Sequence, residues 1–428
     1  MVYCAKTSEG DGKLLHKQFS VKFNFKPWRF TEMRRLAILG GEPIRKRPFA
    51  RWPQFDEREK AALIEVLESG VWGGYSRKVA DFEQAFSSFH EAKYGVTAAN
   101  GTVTLEAALL AAGVRPGDEV IVPPISFIAT ATAVLRVGAV PAFADIDEAT
   151  YNLDPARLSE AITVRTRAVI PVHFAGQPAD IEAITEIAEQ RGLTVIEDCA
   201  HAHGATWRGR RVGSFGAFGS FSFQASKNMT AGEGGILTTS DETLAERARS
   251  VCNQGRRSGG AWYEHVRLGT NFRLTGFQAA VLLSQLERLP LQLETRANNA
   301  KYLAKQLSQI EIVTAPYVDE RVTCHSYYLY PLRLNRERYP ELSKDKFVQA
   351  LVAEGIPAAE GYPHPLYAQP VFAHYEHRRG DCPAAEKMCE EVCWVSHEIL
   401  LAQHDDLADF VAAVAKVSEG AAELGVSV

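Results

Sequence analysis

A chain of 428 residues is far above the length at which a hydrophobic core becomes hard to build, and predicts one large domain with a smaller one. The balance of 47 basic and 52 acidic residues gives a formal net charge of -5, which argues against a nucleic-acid surface, and no apolar run approaches the ~20 residues of a membrane-spanning helix. The 7 cysteines form no CxxC pair and have no histidine at zinc-ligand spacing, so they read as reduced thiols of a cytoplasmic protein without a metal site.

In chain order, residues 1–32 lack the apolar core of a secretory signal, and Asp11 fits poorly with an acid-poor transit peptide. They are expected to be a disordered extension or an upstream misassigned start. Asp56 to Ser69 carries apolar residues at helical spacing (Leu63, Val66, Leu67) and stops at Gly70. A loop with Trp72 and Tyr75 then leads into a helix containing Phe82 and Phe86. Tyr94 to Ala99 predicts a strand running into Asn100-Gly101-Thr102 and an Ala/Leu-rich helix from Leu105 to Ala112. Backbone amides at a helix N-terminus, helped by a hydroxyl, make an anion site, so Gly101 and Thr102 are candidates to hold a phosphate; a plain N-cap is the alternative. Strands are predicted at Glu119 to Val122, Val140 to Ala144 and Ala168 to Val172, with helix-like segments between them, one starting at Ile128. That alternation predicts an α/β fold with a mostly parallel sheet. His173, at a strand end, reads as a hydrogen-bonded structural histidine.

Val195 to Thr238 is the stretch around which the rest is arranged. Its opening apolar run stops at Glu197 and Asp198, on the edge where an open α/β sheet binds ligands. A second β-like run, Gly219 to Gln224, is followed by Lys227 and the flexible Ala231-Gly232-Glu233-Gly234-Gly235. A lysine next to a cation or in an apolar pocket loses its proton easily and attacks carbonyls. An aspartate and a lysine at the ends of separate strands suggest pyridoxal phosphate, with the lysine on its aldehyde and the carboxylate on its pyridinium nitrogen. Beyond Thr239 come a helix from Asp241 to Cys252, a polar, basic loop from Asn253 to Gly260, and a helix packing through Ala279, Leu282, Leu283 and Leu286. From about Pro290 a long charged helix, an alternating strand from Tyr327 to Leu334 and a helix from Lys344 to Glu354 predict the smaller domain. Cys389 and Cys393, four apart on an expected helix, read as small apolar residues. No internal repeat or low-complexity segment is found.

The segments VIEDCAHAHGA, SFSFQASKNMTAGEGG and LGTNFRLTGFQAA closely resemble the DegT/StrS-type sugar aminotransferases, a branch of the fold-type I pyridoxal phosphate enzymes, from about Leu36 to about Leu401. The resemblance implies a three-layer, cofactor-binding large domain over 33–289 and a smaller α/β domain over 290–428, with Met33 matching the usual start. It places Gly101, Thr102 and Ser222 at the cofactor phosphate, Phe127 on the pyridine ring and His201 beside the ring's 3-hydroxyl. Asp198 and Lys227 are the catalytic pair, and Asn271 reaches the partner's cofactor phosphate in a homodimer with shared sites. Trp72, Tyr75, Tyr362 and His364 border the substrate by the same match, and Arg256 and Arg257 are candidates for a diphosphate. Trp394 and His397 sit in a tail pattern like that of the aminocyclitol and aminohydroxybenzoate branch. The implied reaction moves an amino group from glutamine or glutamate to a keto-sugar or a keto-cyclitol such as scyllo-inosose. The alternatives are a nucleotide-linked keto-sugar as acceptor, a dehydratase, which in the family has histidine at the position of Lys227, and a non-catalytic regulator.

Overall fold

Eight strands make the central sheet, in the order β1 (Tyr94–Ala98), β9 (Gly235–Thr239), β8 (Phe218–Ser222), β5 (Thr194–Asp198), β4 (Thr166–Val169), β2 (Glu119–Val122), β3 (Val140–Phe143) and β14 (Arg378–Arg379). Only β9 runs against the rest: its pairings with β1 and β8 are antiparallel, while every other neighbouring pair is parallel. The computed structural model describes residues 35–425; the expectation for residues 1–32 lies outside them. Strands β2, β3 and β8 are buried at every position, as a sheet covered on both faces requires. The cover comes from crossover helices, α3 (Gly101–Ala112), α4 (Ala129–Arg136), α5 (Pro155–Ala161) and α6 (Ile181–Arg191), together with α7 (Glu242–Cys252). The expected mostly parallel α/β architecture is what forms.

Local signals set most boundaries. Helix α1 (Glu57–Ser69) starts with a capping box between Asp56 and Glu59 and stops at Gly70 in the left-handed conformation (φ 67°). Helix α2 (Arg77–Phe89) buries Phe82 and Phe86. Helix α3 starts at Gly101 rather than Leu105, because the Asn100 side chain accepts from the amides of Thr102 (3.1 Å) and Val103 (3.0 Å). It is apolar nearly all round and packs between β8 and α4.

Helix α8 (Gly276–Leu307) runs 32 residues straight through Pro290. An internal proline costs about 3 kcal/mol, offset here by Leu289 and Leu293 buried on either side of it and by a capping box of Thr275 with Gln278. Its second half packs on a four-stranded sheet, β10 (Val313–Thr314), β12 (Leu329–Leu334), β15 (Val392–Ser396) and β13 (Ala358–Ala359), which is antiparallel throughout. With α9 (Lys344–Ala353) and α11 (His404–Glu419), it encloses a second core that includes Leu303, Leu332, Phe347, Val395 and Phe410. Strand β14 leaves this region to pair with β3. A short antiparallel sheet, β6 (Thr206–Trp207), β7 (Arg210–Arg211) and β11 (Val322–Cys324), lies outside both. Cys389 is in α10 (Pro383–Glu391) but Cys393 is in β15, so the two do not share a helix: the β-prone Val392 to Ser396 ends it.

Candidate active site

The carboxyl ends of the parallel strands bring together chemistry that is scattered in sequence. Asn100 and Gly101 follow β1, Ser126 follows β2, Asp198 ends β5 and Ser222 ends β8. They border a cavity of about 750 Å3 that is also lined by Thr102, Phe127, Thr130, His201, Lys227, Glu233, Tyr328, Tyr362 and Trp394. An open α/β sheet binds ligands on this edge. Of the residues expected at a cofactor, all but Asn271 line this cavity.

Asp198 is buried, with Oδ2 accepting from the Thr130 hydroxyl (2.8 Å) and Oδ1 from the Ala200 amide (3.1 Å). Thr130 is steadied in turn by Ser126, hydroxyl to hydroxyl at 2.7 Å. Burial lifts the Asp198 carboxyl above the usual carboxylate range, against the pull of these two hydrogen bonds and of Lys227. A cation facing this carboxylate would therefore be strongly held.

Lys227 closes a turn, its amide donating to the Gln224 carbonyl (2.9 Å). Its Nζ stands over the face of Tyr328, 4.2 Å from the ring centroid. Tyr328 also stacks on His201 at 4.2 Å between centroids, and its hydroxyl meets that of Ser226 at 2.8 Å. Burial, and then the Lys227 charge, hold the His201 imidazole well below its usual range, so it is neutral. Its Nδ1 is buried without a hydrogen-bond partner among the described residues.

The floor is tight. A Cβ on Gly101 would lie 2.6 Å from the Ser222 Cβ, so glycine lets the first turn of α3 approach β8. The Thr102 amide is already engaged by Asn100, so cap and cavity share this helix end. Phe127 is 59% exposed, its ring open to the cavity rather than packed in the core. Tyr362 and Trp394 meet edge to face (5.2 Å) on the opposite wall.

Other expected residues lie elsewhere. Tyr75, Arg256 and Arg257 line a second cavity of about 500 Å3 with Arg249 and Arg273. There the Tyr75 hydroxyl and Asn253 Oδ1 are 3.3 Å apart, and Arg256 Nη1 donates to that hydroxyl (3.3 Å). Trp72 is half exposed, its indole donating to the Leu67 carbonyl (3.1 Å). Asn271 is exposed and bridges to Asn253, and His364 is exposed outside both cavities. His173 donates from Nε2 to Glu197 (3.1 Å) and accepts the Ala179 amide at Nδ1 (3.0 Å), the structural role expected of it. Glu197 and Cys199 are close enough to His173 to share a metal ion, but Glu197 also takes the amides of Gly213, Phe215 and Gly216. That carboxylate is committed to the backbone. Thr130, Ser126 and Tyr328 are among the lining residues that sequence reasoning passed over.

Over 419 residues the chain is 40% identical to the L-glutamine:scyllo-inosose aminotransferase of Streptomyces griseus, covering 91% of this chain and 99% of that protein. It is 38% identical, with the same coverage, to the L-glutamine:2-deoxy-scyllo-inosose aminotransferase of Micromonospora echinospora. Among solved structures, 3-amino-5-hydroxybenzoic acid synthase superposes with a TM-score of 0.81 at 36% identity, covering 86% of this chain and 97% of that one. Residues 53–415 match one family over almost all of the described fold, and the chain belongs to the DegT/DnrJ/EryC1/StrS aminotransferase family.

Proposed function

We propose that the protein is a pyridoxal-phosphate-dependent aminotransferase that moves the amino group of glutamine, or glutamate, to an uncharged cyclic ketone of the scyllo-inosose type, as a cytoplasmic homodimer. The observation that carries the reading is the lining of the Lys227 cavity. It offers a buried carboxylate, a lysine amine, a neutral imidazole and a glycine-floored helix end, and among the described residues it contains no arginine and no second lysine. A nucleotide-linked sugar brings a diphosphate that such a lining leaves unpaired.

These residues fit the cofactor. Gly101, Thr102 and Ser222 would hold its phosphate, Phe127 would cover the ring, the free Nδ1 of His201 would meet the 3-hydroxyl, and Asp198 would hold the proton on the ring nitrogen. When bound, pyridoxal phosphate supplies an electron sink for the carbanion at the donor's Cα. Lys227 takes the proton from that carbon through Nζ and later delivers one to the acceptor's carbon, the face of Tyr328 steadying the amine while it is charged. Tyr362 and Trp394 shape the wall where an acceptor ring sits.

Dimerisation is supported by the position of Asn271. It is exposed and does not line its own chain's cavity, and it belongs to a loop that exposes Trp262 (79%), Tyr263 (73%) and Leu268 (90%). A second copy covering that loop would bring Asn271 to the partner's cofactor phosphate.

The test loads the enzyme with glutamine and offers scyllo-inosose and a nucleotide-linked keto-sugar in parallel. Amination of the inosose with release of the glutamine-derived keto acid is expected. Turnover with the nucleotide sugar alone, lost in Arg256→Ala/Arg257→Ala, would overturn the choice of acceptor.

A further inference from the structure

Behind the cavity, the turn that carries Lys227 is gripped by its carbonyl oxygens. The indole of Trp52 donates to the Ala225 carbonyl (3.0 Å), and His397 Nε2 lies 3.0 Å from the Ser226 carbonyl. The latter carbonyl belongs to the peptide whose nitrogen is that of Lys227, so its direction sets the plane from which the lysine side chain leaves.

His397 is itself held. Its Nδ1 accepts from Arg296 Nη2 at 2.9 Å, and Trp52 packs edge-on against its ring at 4.5 Å. Arg296, on α8, is fully buried, and its Nε and Nη1 have no hydrogen-bond partner among the described residues. No carboxylate among those residues lies within ion-pair distance of it. Burying a guanidinium in this way is costly, and an apolar side chain would serve packing better. What an apolar residue cannot do is fix a tautomer. Arginine only donates, so His397 Nδ1 must be the acceptor, and the ring's one proton is forced onto Nε2, facing Ser226.

We propose that Arg296 and His397 form a positioning relay, in which the guanidinium locks the imidazole tautomer and the imidazole aims the Ser226–Lys227 peptide so that the lysine amine enters the cavity over Tyr328. Burial, reinforced by the Arg296 charge, holds His397 far below its usual range, so the ring stays a neutral donor throughout the working pH range. The inference rests on Lys227 being the reactive amine.

The test compares His397→Phe, His397→Gln and the double variant Arg296→Met/His397→Phe. Each cofactor-free chain is mixed with pyridoxal phosphate and quenched with borohydride at intervals to follow labelling of Lys227. Amide hydrogen exchange over residues 223–228 is measured in the same cofactor-free chains. His397→Phe keeps the packing on Trp52 but removes the donor. It should expose those amides to faster exchange and slow both labelling and kcat by about a hundredfold, as expected when a reacting group is misplaced by about 1 Å, with KM for the donor unchanged. Glutamine presents an N–H near the Nε2 position and an oxygen toward Arg296, so His397→Gln should recover most of the rate. The double variant removes the buried guanidinium that His397→Phe leaves without its acceptor, so it should melt like the wild type yet label as slowly as His397→Phe; a purely structural role predicts recovery of both. Wild-type labelling rates in the double variant, or a Gln variant as slow as Phe, overturns the relay. No label on Lys227 in the wild type overturns the reading of Lys227 itself and the relay with it.

Discussion

Substituting Gly101 by alanine tests the floor of the site by a change of one methyl group. Gly101 has an ordinary backbone conformation, so alanine meets no torsional penalty there, and in a helix it is intrinsically favoured over glycine by up to about 1 kcal/mol. Space decides the outcome. The new Cβ would stand 2.6 Å from Ser222 Cβ, 3.1 Å from its Oγ and 3.2 Å from its Cα, and Ser222 is fixed at the end of β8, a strand inside the sheet. Relief requires the first turn of α3 to back away by about 1 Å, and overpacking of this kind costs about 1–3 kcal/mol. Set against the full helix preference, the net loss of stability should be up to about 2 kcal/mol. Because the same movement separates Gly101 and Thr102 from Ser222, affinity for pyridoxal phosphate should fall by about tenfold or more. Urea unfolding of the cofactor-free chain and a fluorescence titration with the cofactor measure the two effects. Ser222→Gly removes the opposing Cβ, so the double variant Gly101→Ala/Ser222→Gly should regain stability relative to Gly101→Ala while affinity stays low. A Gly101→Ala chain as stable and as tight-binding as the wild type would refute the reasoning.

Three further outcomes follow from the site and its surroundings. Borohydride reduction of the loaded enzyme and peptide mapping should place the pyridoxyl group on Lys227; label on any other lysine would sink the assignment. Mixing Asn271→Ala chains with Lys227→Ala chains should restore part of the activity, since one site of a mixed dimer keeps both groups, and no recovery despite proven subunit exchange would mean that Asn271 acts within its own chain. Burial holds His203 and His325 at about 3 and drives His90, His201 and His397 well below their usual range. Below about pH 6.5 the unfolded chain therefore binds more protons than the folded one, and each histidine removes up to about 1.4 kcal/mol of stability per pH unit as pH falls. Melting temperature should thus drop steeply from pH 6.5 to 4.5, more shallowly in His203→Gln, and a flat profile would show that these rings are not held neutral.

The parts of the site that could be read in the sequence are those that depend on one strand end and one neighbour. Asp198, Lys227 and the Gly101 helix end each announce themselves by an abrupt change from apolar run to polar residue, and the sheet delivers them to one edge because it is parallel there. Tyr328 is hidden because the alternating pattern predicts a strand from Tyr327, whereas the strand starts at Leu329. Tyr327 has a positive φ (50°), unusual for a residue with a side chain, which turns its neighbour into the cavity. Thr130 looked like an ordinary helix residue; its purpose appears only when α4 is set beside β5. Pro290 suggested a break where the helix continues, since tertiary packing outweighs a local preference. The separation of Tyr75, Arg256 and Arg257 from Lys227 is a matter of distance through space, which spacing along the chain does not encode.

The pairing of β14 with β3 has a consequence for how the chain is made. Strand β3 ends at Phe143, but its outer neighbour does not arrive until Arg378. At ordinary translation rates, the parallel edge of a nascent sheet therefore stands uncovered for on the order of tens of seconds, long enough to recruit another unfinished chain. Pro141 sits in the middle of that edge and offers no N–H. It makes β3 a poor template for a stranger during synthesis, while the two-residue β14 is short enough to dock without it.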